Sequence, residues 1–167
     1  HNWFAYQLGY GIDDLIFQNS SFIFEYNWTD QRIYKHKYKI NDFYSHGEPL
    51  GFWAGPHSEE LLASYSFTVG YSEISIDYST VKRGLISDES TITNYNDTYN
   101  SRYSDGYELK DYFSVRIQTA SKVKGLNYIF GINQIRFENN GLINDFSSAN
   151  KYSIELGIFY NYQSSKD

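Results

Sequence analysis

Residues 63–78 read ASYSFTVGYSEISIDY. Ala63, Tyr65, Phe67, Val69 and Tyr71 fall on one face of an extended chain, and Ser64, Ser66, Thr68 and Gly70 on the other. After a break at Ser72-Glu73 the rhythm resumes, with Ile74, Ile76 and Tyr78 against Glu73, Ser75, Asp77 and Ser79. Successive side chains of a strand point to opposite sides. The stretch therefore predicts a β-hairpin with one apolar and one polar face.

The same period runs through the rest of the chain. Phe4, Tyr6, Leu8, Tyr10 and Ile12 alternate with small or polar residues, as do Phe22, Phe24, Tyr26 and Trp28. Leu109, Phe113, Val115 and Ile117 form a fifth apolar row, which Asp111 interrupts. Leu126, Tyr128, Phe130 and Ile132 form a sixth, but the phase then shifts to Ile135 and Phe137, which predicts a β-bulge near Asn133-Gln134. Ile154, Leu156, Ile158, Tyr160 and Tyr162 close the series.

Several segments reach the ~9–11 residues a tilted strand needs to cross a bilayer, beyond the ~5–6 of an average globular strand. The connections alternate between short ones, near Asp13-Asp14, Ser72-Glu73 and Lys122 to Gly125, and long ones at 29–59, 84–106 and 139–149. Outer-membrane barrels join their strands by short periplasmic turns and long extracellular loops. The expected fold is thus an all-β, antiparallel transmembrane β-barrel in the bacterial outer membrane. About seven long strands lie in this chain; its reading as 1–167, the C-terminal portion of a larger barrel, comes from the family resemblance given below. An odd strand count predicts further strands before His1 or from another chain. A soluble β-sandwich is the rival architecture.

Composition limits the function classes. Aromatic residues make up 20% of the chain, with 18 Tyr, 12 Phe and 3 Trp, yet mean hydropathy is −0.57. No apolar run approaches the ~20 residues of a membrane helix. A net charge of −6 argues against nucleic acid as a partner, since phosphates demand clustered cations. With no Cys, thiolate metal sites and Cys nucleophiles are excluded. His36, His46 and His57 are too widely spaced for a compact metal site, and Asn96, Asp97, Asp105 and Glu108 lack an EF-hand register. No cofactor is implied. No nucleophile elbow or other catalytic string occurs, so no enzymatic activity is expected.

One segment departs from the strand rhythm. Residues 33–62 read IYKHKYKINDFYSHGEPLGFWAGPHSEELL, punctuated by Gly47, Pro49, Gly51, Gly55 and Pro56, which predicts a structured element within a long loop. Tyr34, His36, Tyr44, His46, Phe52, Trp53 and His57 are its candidate polysaccharide-binding residues. Flat rings offer their faces to the CH groups of pyranoses, and polar side chains bond the hydroxyls. Packing of the same rings against the loop is the plainer reading. The pattern of Tyr34, His36, Tyr38, Tyr44, Gly47, Pro49-Leu50-Gly51 and Gly55-Pro56 resembles the Wzi family of capsule-assembly proteins, with His57 where that family commonly has Asp. The resemblance implies a large, non-enzymatic Gram-negative outer-membrane barrel that binds or organises capsular polysaccharide, among outer-membrane lipid and lipopolysaccharide.

Two further functions fit the alternation: a porin or uptake channel, and a barrel subunit of a multiprotein assembly. Trp3, Trp28, Tyr26, Tyr107, Tyr160 and Tyr162 are expected in an interfacial aromatic girdle. Glu25, Asp77, Lys110, Arg116 and Glu155 lie on the polar faces, where they either set the electrostatics of a lumen or pair with one another.

Overall fold

A computed structural model describes residues 4–30, 33, 44–45, 48–49, 52–84, 102–103, 106–140 and 147–160. Nine strands follow one another: β1 (Ala5–Asp13), β2 (Ser20–Thr29), β3 (Tyr44–Ser45), β4 (Glu48–Pro49), β5 (Ser58–Val69), β6 (Ser72–Gly84), β7 (Tyr107–Ala120), β8 (Leu126–Asn140) and β9 (Ser147–Tyr160). Seven of them form one antiparallel sheet in the order β1-β2-β5-β6-β7-β8-β9. The sheet is open, with β1 and β9 at its edges. The two-residue strands β3 and β4 pair only with each other, giving the 29–59 connection its own structured element. There is no helix among the described residues.

Short turns hold one end of the sheet. Gly70, at φ 60°, takes the first place of a two-residue turn to β6, where hairpins favour glycine. The β1–β2 connection is longer than the expected tight turn at Asp13-Asp14: it takes six residues, Asp14–Asn19. The Asn19 amide donates to Asp14 Oδ1 at 2.6 Å, and the Asp14 amide to the Ser20 carbonyl at 2.7 Å. Asp14 and Asn19 both have positive φ, which short polar side chains tolerate.

The expected bulge at Asn133-Gln134 is absent. Asn133 faces Ser114 and Ser153, and Gln134 faces Phe113 and Tyr152, without a break in either ladder. Ile135 and Phe137 therefore sit on the opposite face from Ile132. The apolar row of β8 changes sides because its surroundings change along the strand, not because the backbone kinks.

The two faces differ in kind. One, the belt face, carries aromatic and aliphatic side chains that stay exposed, up to 77% for Leu156. Ala54 and Val81 are the buried hydrophobic residues among those described. The belt is bounded. Toward the long connections its unbroken apolar rows end at Tyr152 on β9, Ile132, Phe113, Tyr78, Leu61, Trp28 and, just before β1, Phe4, while on β7 Leu109 and Tyr107 lie on the same face beyond Asp111. Toward the short turns they are Tyr160, Leu126, Ile117, Ile74, Val69, Phe22 and Ile12. Above the belt, one hydrogen-bonded row reads Thr80, Asp111, Arg136 and Asn150. In the ladder's register both margins stand three rows higher at the β1 edge than on β9, with small reversals at Ile132 and Val69, so the belt crosses the strands obliquely.

The other face is small and polar. Gln7 donates to Glu25 at 3.0 Å, and Ser64 to Asp77 at 2.6 Å. Arg116, Gly131 and Glu155 share one row. Gly131 leaves a gap through which Arg116 on β7 reaches Glu155 on β9, at 3.2 Å. A Cβ on Gly131 would meet the Glu155 side chain at 3.1 Å. Of the five polar-face charges singled out in the sequence, these two pair with each other. In a double-mutant cycle, Arg116→Ala and Glu155→Ala should couple by about 0.2–1 kcal/mol, and the coupling should vanish in a Gly131→Val background.

Candidate functional site

The most tightly packed part of the molecule is at the long-connection end of β2 and β5. Gly55, at φ 76°, turns the chain after Ala54, and Pro56 and His57 lead it into β5. The Thr29 hydroxyl donates to the Gly55 carbonyl at 2.9 Å and accepts the Ser58 amide at 3.0 Å. The Ser58 hydroxyl donates to the same carbonyl at 2.6 Å. Both side chains are fully buried, so each must find partners inside the protein.

Arg102, from the 84–106 connection, locks this junction. Its Nη1 donates to the Thr29 carbonyl and its Nη2 to the Ser58 carbonyl, each at 2.9 Å. The planar guanidinium fork suits two carbonyls at the ends of neighbouring strands. Its flat face lies 4.4 Å from the centre of the Trp28 ring, which stacks in turn on Tyr6 at 5.1 Å and 13°. Trp28, expected in an interfacial girdle, is thus held between a cation and a second ring.

Tyr103 completes the cluster. His57 stacks on it at 5.2 Å and 4°, Tyr107 meets it edge-on, and Lys82 lies 4.5 Å above its ring. Any side chain on Gly84 would fall on the His57 ring, so glycine is required there. Burial pushes the Tyr103 phenol up to about 12, against the pull of the Arg102 guanidinium.

Residues 52–54 turn toward the polar face. The Trp53 indole N–H donates to Glu60 at 3.2 and 3.3 Å. Glu60 is buried and also accepts the Asn27 amide at 2.9 Å. Trp53 itself is 61% exposed. The arrangement is a solvent-facing indole whose orientation is fixed by a buried carboxylate. Phe52 stands beside it at 6.1 Å and 61°. At the β1 edge, Phe52, Trp28, Gln7 and Asn27 line a cleft of about 290 Å³ that sets rings beside amides.

Of the seven candidate binding residues, Phe52 and Trp53 come together beside this cleft. His57 is also close by but is buried under Tyr103, where its ring serves the packing of the loop junction. Tyr34, His36 and His46 lie outside the described residues, and of Tyr44 only the strand pairing with Pro49 is described. Thr29, Ser58, Glu60 and Arg102 are the residues that sequence reasoning missed. Glu60 had a signal, since it follows the β5 alternation onto the polar face. Arg102 had none, being one cation in a long polar run. Among the described residues, no group of His, Cys, Asp and Glu is placed to hold a metal ion. Asn27-Trp28-Thr29 fits the pattern of a glycosylation acceptor, but it lies within β2 with Asn27 buried against Glu60.

The raised Tyr103 value sets a pH dependence. A folded-state phenol at about 12 against 10 unfolded leaves stability untouched below pH 10 and lowers it as pH rises from 10 through 12. Thermal unfolding between pH 9 and 12 should show that extra loss in the parent, on the order of 1 kcal/mol after allowing for partial exposure, and Tyr103→Phe should lack it.

No family model, curated protein or solved structure matches this chain.

Proposed function

We propose that this sheet is part of the wall of a bacterial outer-membrane β-barrel that binds surface polysaccharide and performs no chemistry on it. The carrying observation is the oblique belt. A sheet whose apolar face stays exposed, with two buried hydrophobic residues among those described, needs an apolar medium against that face. Both margins of the belt climb by about half a hydrogen-bonded row per strand. With a row of two residues at ~6.7 Å and strands ~4.8 Å apart, that inclines the strands by roughly 35° to the belt normal. Transmembrane barrel strands tilt by ~35–45°. On β9 the belt runs from Tyr152 to Tyr160. At that tilt it stands roughly 20–25 Å high, close to the ~25 Å apolar band of such barrels.

Lipid thus accounts for the belt face, and a water-filled or filled interior accounts for the polar one. The open edges of β1 and β9 call for closure by further strands, from the same chain or another. The long-connection end becomes the extracellular mouth. There the tethered Trp53, beside Phe52 and next to amides and carboxylates, offers the ring face and hydrogen-bond partners that a pyranose takes. The resemblance of residues 33–62 to the Wzi family supports the same assignment to capsular polysaccharide.

Two experiments test the two halves of the proposal. Leu156→Arg places a charge in the middle of the β9 belt and should cost about 2–4 kcal/mol of folding into lipid vesicles, while Ser153→Arg on the polar face should cost far less. Equal tolerance of both would remove the membrane assignment. The intact protein in detergent should bind surface polysaccharide purified from its own cells, about tenfold more weakly after Trp53→Ala. Failure of the intact protein to bind any surface glycan of those cells would end the binding assignment.

A further inference from the structure

The side-switch of β8 is unexplained by the belt. Above Gln134 the apolar residues Ile135 and Phe137 lie on the polar face, while Arg136 and Glu138 lie on the belt face. The ladder places Phe137 in one continuous row: Asn27, Glu60, Val81, Lys110, Phe137, Ala149. Glu60 is the carboxylate that holds Trp53. The indole and Phe137 therefore stand on one level of the polar face, three strands or ~14 Å apart. One row below, Tyr112 faces Ile135 and donates its hydroxyl to Asn133 Oδ1 at 3.1 Å. That bond fixes the second ring as Glu60 fixes the first. Tyr112 and Ile135 are 37% and 43% exposed.

We propose that these residues form one extended groove across the strands, from Trp53 past the exposed Lys110 to Phe137 and Tyr112, that takes a stretch of about three or four sugar units of an acidic glycan. The inference rests on the polysaccharide reading above. The rings supply stacking faces at both ends, separated by more than a single sugar ring can bridge. Lys151 follows Ile135 in the lower row, exposed and without an ion pair among the described residues. It gives the β9 end a positive charge suited to the carboxylate of a uronic-acid unit. Lys110, in the same row as Phe137, already pairs with Glu108 at 2.8 Å, and the acidic side chains Glu25 and Glu60 lie at the other end, so Lys151 places the acidic unit at the β9 end.

The test uses fragments of the purified surface polysaccharide, sorted by length from one unit to six, with the intact protein in detergent. Affinity should climb with length to about three or four units and then level off. Phe137→Leu and Tyr112→Ala should each weaken the long fragments by about tenfold, as Trp53→Ala does, and leave fragments bound only at the Trp53 end unchanged. Tyr112→Phe, which keeps the ring and releases its tether, should weaken them less. Lys151→Gln should lower affinity for native fragments and not for fragments whose carboxylates have been reduced to alcohols. Circular dichroism of each variant confirms that the sheet is retained. Affinity independent of length, or loss on Trp53→Ala alone, would confine the site to the indole and overturn the groove while leaving polysaccharide binding in place. Absence of binding by every fragment and by the polymer would instead remove the reading beneath it.

Discussion

A slip of one residue between any two neighbouring strands would exchange the faces of this sheet. Leu156 would turn toward the polar side and Glu155 toward the belt. The paired rows prevent this because each face is specified twice, by apolar pairs such as Ile76 against Val115 on one side and by polar contacts such as Ser64 with Asp77 on the other. Gly131 adds a third device, since the Arg116–Glu155 pair forms only in the register that puts a glycine between them. Faces, belt and tethered rings all depend on that register.

Stability is distributed unusually for a sheet of this length. With Ala54 and Val81 the buried hydrophobic residues among those described, the densest packing is polar, at the Thr29–Ser58–Arg102 junction. Buried hydroxyls and a guanidinium are tolerable only when their bonds are made inside the protein. Here two carbonyls at strand ends accept the Arg102 fork. The same junction fixes where residues 52–57 leave the strand. The Trp53 platform therefore inherits its position from the sheet rather than from a free loop.

The strands were legible because alternation is a local property: five residues of period two suffice to recognise β5 or β9. Their faces were legible for the same reason. Boundaries were less so. β6 runs on to Gly84 and β9 starts at Ser147, where polar residues continue the strand beyond the apolar rhythm. The shift at Ile135 was visible but misread as a bulge, because an apolar residue on the polar face has two explanations that only the register separates. At the candidate site, Trp53 and Phe52 were found through their composition and glycine punctuation. The roles of His57 and Arg102 were not, since each depends on a partner from another connection. The stack of His57 on Tyr103 joins residues 46 positions apart.

Every pairing in the large sheet joins strands that follow one another along the chain, apart from the detour of β3 and β4. Each hairpin is thus a self-contained clause in the sequence, and no strand threads between two others. Duplicating or deleting one hairpin would change the width of the sheet and leave the grammar of the remaining strands intact. Such an architecture can vary its width over evolutionary time two strands at a step, while the oblique apolar stripe is carried from each hairpin to the next.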